Sequence, residues 1–574
     1  MQFALGGHAE AVRAAQARWQ AESSTRRLWE RDAALFSNAD EARWLGWLEL
    51  PTASAEEAIA SRALRDAIDT HPADTAVVLG MGGSSLWPDV LGQTFGGEAR
   101  QRRLHVLDST VPDAIEAFLE RVPAERCLFF VSSKSGSTIE PNALFELIHA
   151  RLAAKLGAEA ASRQFVAITD PGSALEARAR AAGFLGIALG RADVGGRFSA
   201  LSPFGLLPAA AMGLDPESLR ARARKMAAEC GPGVHADANP GVALGLALGT
   251  LAQRGCDKLT LSLSPAIASF GGWIEQLVAE STGKHGLGIL PIADEPLGAP
   301  DCYSNDRVFV DLTVAGDTSA STRAARLDAL EQAGHPTIRL ALADNDALGA
   351  AIFQWEIATA VVGAVLGVNP FDQPDVESAK IAAREQMAAA AAPGTGAADE
   401  RPDLEAAGMK IFAATALAPA ARNAAAAGEP ARLIQALVDS LAPGDAFLVN
   451  AFLADSPALR APLEAIRAAV GPARRVATAV SFGPRYLHST GQLHKGGPAR
   501  LAGLQLWQSA AARPGPRLAI PEIGGDFESL AEAQAVGDFR VLSQRGRRML
   551  GIDVGADPQR ALETILAWIQ GAVK

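Results

Sequence analysis

Cysteine is scarce in this chain: Cys127, Cys230, Cys256 and Cys302 are the only four in 574 residues. They form no CxxC pair and no metal-ligand spacing, which excludes a disulfide framework and a cysteine zinc site and fits a reducing cytoplasm. Positive charge is in deficit too. Lys and Arg total 53 against 64 Asp and Glu, a formal net charge of -11, which argues against nucleic acid as a main partner. That balance leaves small anionic ligands open, because local loops bind phosphates whatever the net charge. The opening MQFALGGHAEAVRAAQARWQ lacks a basic stretch followed by an apolar run, so no signal peptide is expected. No uncharged apolar stretch of spanning length free of turn residues is evident, so neither a transmembrane helix nor a membrane partner is expected. No solenoid-type repeat period is evident.

What is present is a composition for large buried cores: 49% hydrophobic and 20% charged residues, in a chain long enough for several domains. Residues 1–50 read as a helical segment rich in Ala, Arg, Glu and Trp, with Trp19, Trp29, Trp44 and Trp47 as packing residues against the domain that follows. Short apolar runs then alternate with helical patterns, which predicts an α/β fold with doubly wound parallel sheets and ligands at the strands' carboxyl ends. One such unit is expected over 51–214 and a second over 215–387. An Ala/Gly-rich linker is expected over 388–400, and a third α/β unit over 401–574, with strands at Ala446–Ala451, Val476–Val480, Leu501–Leu506, Arg517–Ile520 and Met549–Val554.

Two loops in the first unit point to phosphate. The run Thr75–Leu79 feeds Gly80-Met81-Gly82-Gly83-Ser84-Ser85 and then a helix, a geometry that leaves backbone N–H groups free to hold an anion. Ser85 stands where a dinucleotide fingerprint would place its third glycine, and the loop is no Walker sequence either. The run Leu128–Val131 opens into Ser132-Ser133-Lys134-Ser135-Gly136-Ser137-Thr138, five hydroxyls with one Lys and one Gly, suited to three phosphate oxygens. Further on, Gly195-Gly196 allows a close backbone approach and aims Arg197. Gln276 and Glu280 stand four apart on one helical face, just before Gly283. The dipole disfavours a carboxylate's charge in a helix's last turn, a setting that suits a general base. Read alone, Glu280 fits a solvated surface residue better. Lys380, close to a helix start, is either exposed or held for a purpose. In the third unit, His488 and His494 with Lys495 lie in a Gly-rich loop without the ligand set of a metal site, which leaves acid–base work or phosphate contact.

Together GMGGSSLWP (80–88), SKSGSTIEP (133–141), VGGRFS (194–199), ESTGK (280–284) and NPFDQPDVESAK (369–380) resemble, in order and spacing, the glucose-6-phosphate isomerase family, built on sugar-isomerase domains. The resemblance covers roughly residues 40 to 390. One block is displaced. That family carries its catalytic histidine between the ESxGK and FDQ blocks, whereas here the similar HSTGQLHKGG (488–497) follows Lys380. With FESLAEAQAVGD (527–538) behind it, this region is similar to the isomerase part of transaldolase/glucose-6-phosphate isomerase fusions.

The resemblance implies an aldose–ketose isomerase interconverting glucose 6-phosphate and fructose 6-phosphate through a cis-enediol, in glycolysis and gluconeogenesis. It implies Glu280 as base, Arg197 as the charge stabilising the enediolate, and His488, with Lys380, as the ring-opening group. Gly83, Ser84, Ser133, Lys134, Ser135, Gly136, Ser137 and Thr138 would hold the phosphate, and Gln276 would position the base or a sugar hydroxyl. It implies no metal or organic cofactor, and a cytoplasmic homodimer. Two other functions fit: an isomerase that also accepts mannose 6-phosphate, and a sugar-phosphate-binding regulator without chemistry. Retention of Glu280, Arg197, Lys380 and a histidine block argues against the regulator.

Overall fold

The computed structural model describes residues 1–97, 99–375 and 401–574. Lys380, the helix expected around it and the 388–400 linker lie outside the described residues.

The chain opens with β1 (Gln2–Ala4), which pairs antiparallel with a strand some 335 residues away, Thr337–Leu342. The first fifty residues are therefore not wholly helical. Their first strand is too short for a periodicity signal, and its partner is remote in sequence. The rest of this stretch is helices and 3₁₀ turns, including Ala9–Ala21 and Ser24–Trp29. Trp47 stacks on Phe198 at 5.1 Å and also meets Phe353, while Trp29 donates to the Cys230 carbonyl at 2.9 Å. Trp19 and Trp44 make local bonds, to Thr25 and Asp40, and pack with the same core.

The first sheet contains β2 (Thr75–Gly80), β3 (Arg103–Leu107), β4 (Cys127–Ser132), β5 (Phe165–Thr169) and β6 (Gly186–Leu189) in the order β3-β2-β4-β5-β6, all parallel. Its β-branched and aromatic runs are buried on both faces, as a parallel sheet covered by helices requires. The order reverses between β2 and β4, so the loops after Gly80 and after Ser132 flank the crevice where such sheets bind ligands. The second sheet contains β7 (Lys258–Leu263), β8 (Leu290–Ile292), β9 (Arg307–Val314) and β10 (Thr337–Leu342), ordered β1-β10-β9-β7-β8. One hydrophobic core runs through the N-terminal helices and both sheets, with Trp47, Trp87, Trp273 and Trp355 at its centre. The helix Leu348–Leu366 threads this core. It is long and apolar enough to cross a membrane but is enclosed by protein, and its Glu356 carboxyl lies fully buried. With Glu356 and two glycines in its length, it is not an uncharged, turn-free stretch of the kind the sequence lacks.

The third sheet contains β11 (Leu404–Ala406), β12 (Met409–Ala413), β13 (Ala446–Phe452), β14 (Ala477–Phe482), β15 (Leu501–Trp507) and β16 (Arg548–Asp553), ordered β11-β12-β16-β15-β13-β14. Four strands are parallel; β12 joins antiparallel and β11 forms a hairpin with it. This sheet has its own core. Arg517–Ile520 is not a strand. The stretch is flanked by Pro516 and Pro521, and its N–H groups serve a local loop instead of a sheet: Leu518 donates to Glu528, Ile520 to the Gly525 carbonyl, and Ala519 bridges Asp526. Leu518, Ile520, Phe527 and Leu530 pack instead into the outer face of the first sheet, joining the third unit to the first.

Candidate active site

Gly82 lies at the point where the three units meet. At φ +56° it adopts a left-handed turn that disfavours a side chain, and an added Cβ would fall 2.7 Å from both Gln276 Nε2 and the His488 carbonyl. Its neighbour Gly83 packs backbone to backbone on Gly196, where a Cβ would sit 2.0 Å from the carbonyl oxygen. The first Gly-Ser loop is thus wedged against the Arg197 turn, the Glu280 helix and the histidine turn at once.

The Glu280 helix runs Phe270–Thr282 and ends at Gly283. Gln276 donates to Glu280 Oε2 at 3.1 Å and to the His488 carbonyl at 2.7 Å. Its own Oε1 is buried without a partner among the described residues. Glu280 is 8% exposed and faces Arg197, with Nη1 3.3 Å from Oε1. It is therefore no solvated surface carboxylate.

Arg197 is held from all sides. Nε donates to Ser281 Oγ at 2.8 Å, Nη1 to Gln373 Oε1 at 3.0 Å, and Nη2 to the carbonyls of Pro370 and Asp372 at 2.6 and 2.9 Å. Burial pushes its pKa below the ordinary arginine value, while Glu280 and Asp372 pull it back. Its N–H groups are thus engaged by protein. Lys284 closes the same junction: it donates to the Ser281 and Asn369 carbonyls and lies 2.9 Å from Asp372 Oδ1. Burial, reinforced by Arg197, lowers its pKa to about 7 against the pull of Asp372. ESTGK and NPFDQ are thus two halves of one charged joint, a relation that spacing alone cannot show.

In the second loop, Ser133 Oγ donates to Thr138 Oγ1 at 3.1 Å and accepts from the Gly136 N–H at 3.2 Å. Ser135 and Ser137 pair at 2.9 Å. Ser84 is buried beside them in the neighbouring loop. Lys134 Nζ is engaged elsewhere, at 2.8 Å from Asp170 and 3.1 Å from the Arg191 carbonyl. Burial works against both charges of that pair, lowering the Lys134 pKa and raising that of Asp170.

His488 enters from the third unit, in a turn between β14 and the short helix Gly491–Gly496. Its Nε2 lies 2.9 Å from Oε1 of Glu140, a buried residue in the first turn of the helix Ile139–Leu156. The carboxylate partner comes from within SKSGSTIEP, and sequence reasoning passed over it because nothing local links it to a histidine some 350 residues away. Four residues on, Gln492 is wholly buried and donates to the Gly283 carbonyl at 3.0 Å and to Asp375 Oδ2 at 2.8 Å. It stitches the histidine helix to the end of the Glu280 helix. His494 is not in this cleft. It is fully buried, burial lowers its pKa to about 3, and neither ring nitrogen has a partner among the described residues.

Parallel sheets whose carboxyl-end loops converge on a buried Glu–Arg pair, a hydroxyl-rich cradle and a His–Glu pair define a protein of the sugar-isomerase class. Residues 67–285 match the family model described as phosphoglucose isomerase. The chain is 32% identical to a glucose-6-phosphate isomerase of Rubrobacter xylanophilus, over 58% of this chain and 87% of that protein. It is 30% identical to a probable glucose-6-phosphate isomerase of Natronomonas pharaonis, over 63% of this chain and 90% of that protein. The solved structure of a hypothetical protein from Thermus thermophilus superposes with a TM-score of 0.58 at 28% identity, covering 67% of this chain and 97% of that one. The chain belongs to the glucose-6-phosphate isomerase family.

Proposed function

We propose that this protein interconverts glucose 6-phosphate and fructose 6-phosphate. The observation that carries the reading is the Gln276 amide, which joins the Glu280 carboxylate to the His488 main chain beside Gly82. It gathers a base, a histidine and the phosphate-loop region at one point. In this reading the carboxylate of Glu280 takes the C2 proton of the open-chain aldose, and the C–H electron pair becomes the C1=C2 bond of a cis-enediolate. Negative charge gathers on O1, where the fixed field of Arg197 offsets it. Return of the proton to C1, with transfer of the O2 proton to O1, gives the ketose. His488, hydrogen-bonded to Glu140, moves the proton between the ring oxygen and the anomeric hydroxyl that opens the pyranose. The free carbonyl oxygen of Gln276 suits a sugar hydroxyl, since an unpaired buried acceptor costs about 1–3 kcal/mol that such a donor would recover.

The phosphate is assigned to Ser84, Ser133, Ser135, Ser137 and Thr138 with the N–H groups of Gly83 and Gly136. Lys134, beside them, braces the loop from its ion pair with Asp170 and adds its positive charge to the phosphate site. Lys380 remains a candidate for the ring-opening step. The domain division at 51–214, 215–387 and 401–574, a homodimer and a cytoplasmic setting belong to the same proposal. The test is a coupled assay in which glucose 6-phosphate formed from fructose 6-phosphate is oxidised by an NADP-linked dehydrogenase. Absence of turnover by folded protein refutes the reading.

A further inference from the structure

The stretch FESLAEAQAVGD marks the start of the helix Phe527–Gln544, and the mechanism above gives it no task. Two of its side chains, Gln534 and Asp538, stand four residues apart on one face, and both are buried, at 4% and 1% exposure. Gln534 Nε2 donates to Glu140 Oε1 at 2.7 Å, the same oxygen that lies 2.9 Å from His488 Nε2. The amide cannot turn over freely: Thr110 Oγ1 donates to Gln534 Oε1 at 2.6 Å, which leaves the NH₂ end facing the carboxylate. One turn further along, Asp538 Oδ2 accepts from the Tyr486 hydroxyl at 2.6 Å, and Oδ1 lies 2.5 Å from Lys495 Nζ. Lys495 in turn donates to the Gly491 carbonyl at 3.3 Å. Tyr486 and Gly491 bracket His488 in the chain, so one carboxylate pins both ends of the turn that presents the imidazole. Gln505 and Asn450, on neighbouring strands, complete the network behind Tyr486.

We propose that the helix Phe527–Gln544 is the positioning element of the His488–Glu140 pair, Gln534 fixing the carboxylate and Asp538 fixing the histidine turn. This rests on the assignment of ring opening to His488. A buried ion pair such as Lys495–Asp538 could brace any loop. What sets this helix apart is Gln534, which holds the carboxylate of another unit by the oxygen that the histidine shares. Gln534 and Asp538 touch no reacting atom in this scheme and act through Glu140 and His488.

The experiment compares two rates in the full-length wild type, His488→Ala and Gln534→Met. One is turnover of cyclic glucose 6-phosphate. The other is exchange of the C2 proton with solvent deuterium on a hexose 6-phosphate lacking the 4- and 5-hydroxyls, which cannot close a furanose or pyranose ring. Gln534→Met is expected to lower cyclic turnover about tenfold or more while open-chain exchange stays within about twofold of wild type, a smaller version of the His488→Ala pattern, in keeping with the ~10²–10⁴ range of acid–base effects. Unchanged cyclic turnover, or a parallel fall of both rates, overturns the proposal. If Gln534→Met does not fold, Thr110→Val decides by the same two rates, since it frees the Gln534 amide from the opposite side. Wild type inert on both substrates, or His488→Ala with full cyclic turnover, instead refutes the functional reading on which this rests.

Discussion

Replacing Glu280 with Gln tests the base directly, because it keeps the side chain's shape and removes its proton acceptor. Loss of a positioned general base costs about 10²–10⁴ in rate, or ~2.7–5.4 kcal/mol of barrier at about 1.36 kcal/mol per decade. The structure adds a second, separable cost. Glu280 faces Arg197 at 3.3 Å with side chains 10% and 2% exposed, so the substitution removes a counter-charge from a buried cation. Breaking such a pair outright costs about 3–5 kcal/mol. Here the new amide oxygen still accepts from Nη1, and the carbonyls of Pro370 and Asp372 keep Nη2. The expected stability loss is therefore nearer ~1–2 kcal/mol, about the difference between a charged and a neutral hydrogen bond. The coupled assay should show kcat down at least a hundredfold with KM little changed, because the phosphate loop is untouched. Urea unfolding should show the smaller stability loss. A Glu280→Gln enzyme retaining more than about a tenth of wild-type kcat would refute the assignment.

Ser133→Ala and Thr138→Ala should raise KM about tenfold while lowering kcat less, since a lost hydrogen bond to a charged ligand is worth about 1.5–3 kcal/mol; an anion bound only away from residues 133–138 in a phosphate-soaked crystal would contradict this. His488→Ala should impair turnover of the cyclic sugar and spare C2 exchange on the open chain, and full activity on the cyclic sugar would count against the histidine. For Lys284, the folded-state pKa of about 7 lies below the ordinary lysine value of 10.5. The unfolded chain therefore binds more protons between those values, and this group's contribution to stability rises with pH across that window. The wild type should gain stability relative to Lys284→Met between pH 7 and 9, by at most ~1.4 kcal/mol per pH unit; parallel curves would refute the burial argument.

Much of this arrangement was legible in the sequence because it rests on local chemistry. The apolar runs before Gly80 and before Ser132 announce strands that feed Gly- and Ser-rich loops, and both loops do flank the strand-order reversal. The Gln276–Glu280 spacing survives as a real hydrogen bond. What was not legible is long-range pairing. Glu140 and Gln534 are ordinary residues in apolar helices until the fold brings them to His488. The ion pair of Lys134 with Asp170, one strand away, leaves no local trace. Arg517–Ile520 has the composition of a strand and no ladder to join. Strand β1 escaped because three residues carry no period, and its place depends wholly on β10.

The placement of Gly82 against Gln276 and His488 has a bearing on how the protein fails. The first two sheets share one apolar core and smaller apolar clusters attach the third, but along the seam of the third unit the histidine turn itself is held to the other two by a few polar bonds. Those bonds can part while every strand stays folded, since local opening has its own, lower free energy. Loss of turnover in rising denaturant should thus precede loss of circular dichroism. The inactivation midpoint would measure the cohesion of the seam, a quantity that a melting curve of the whole chain averages away.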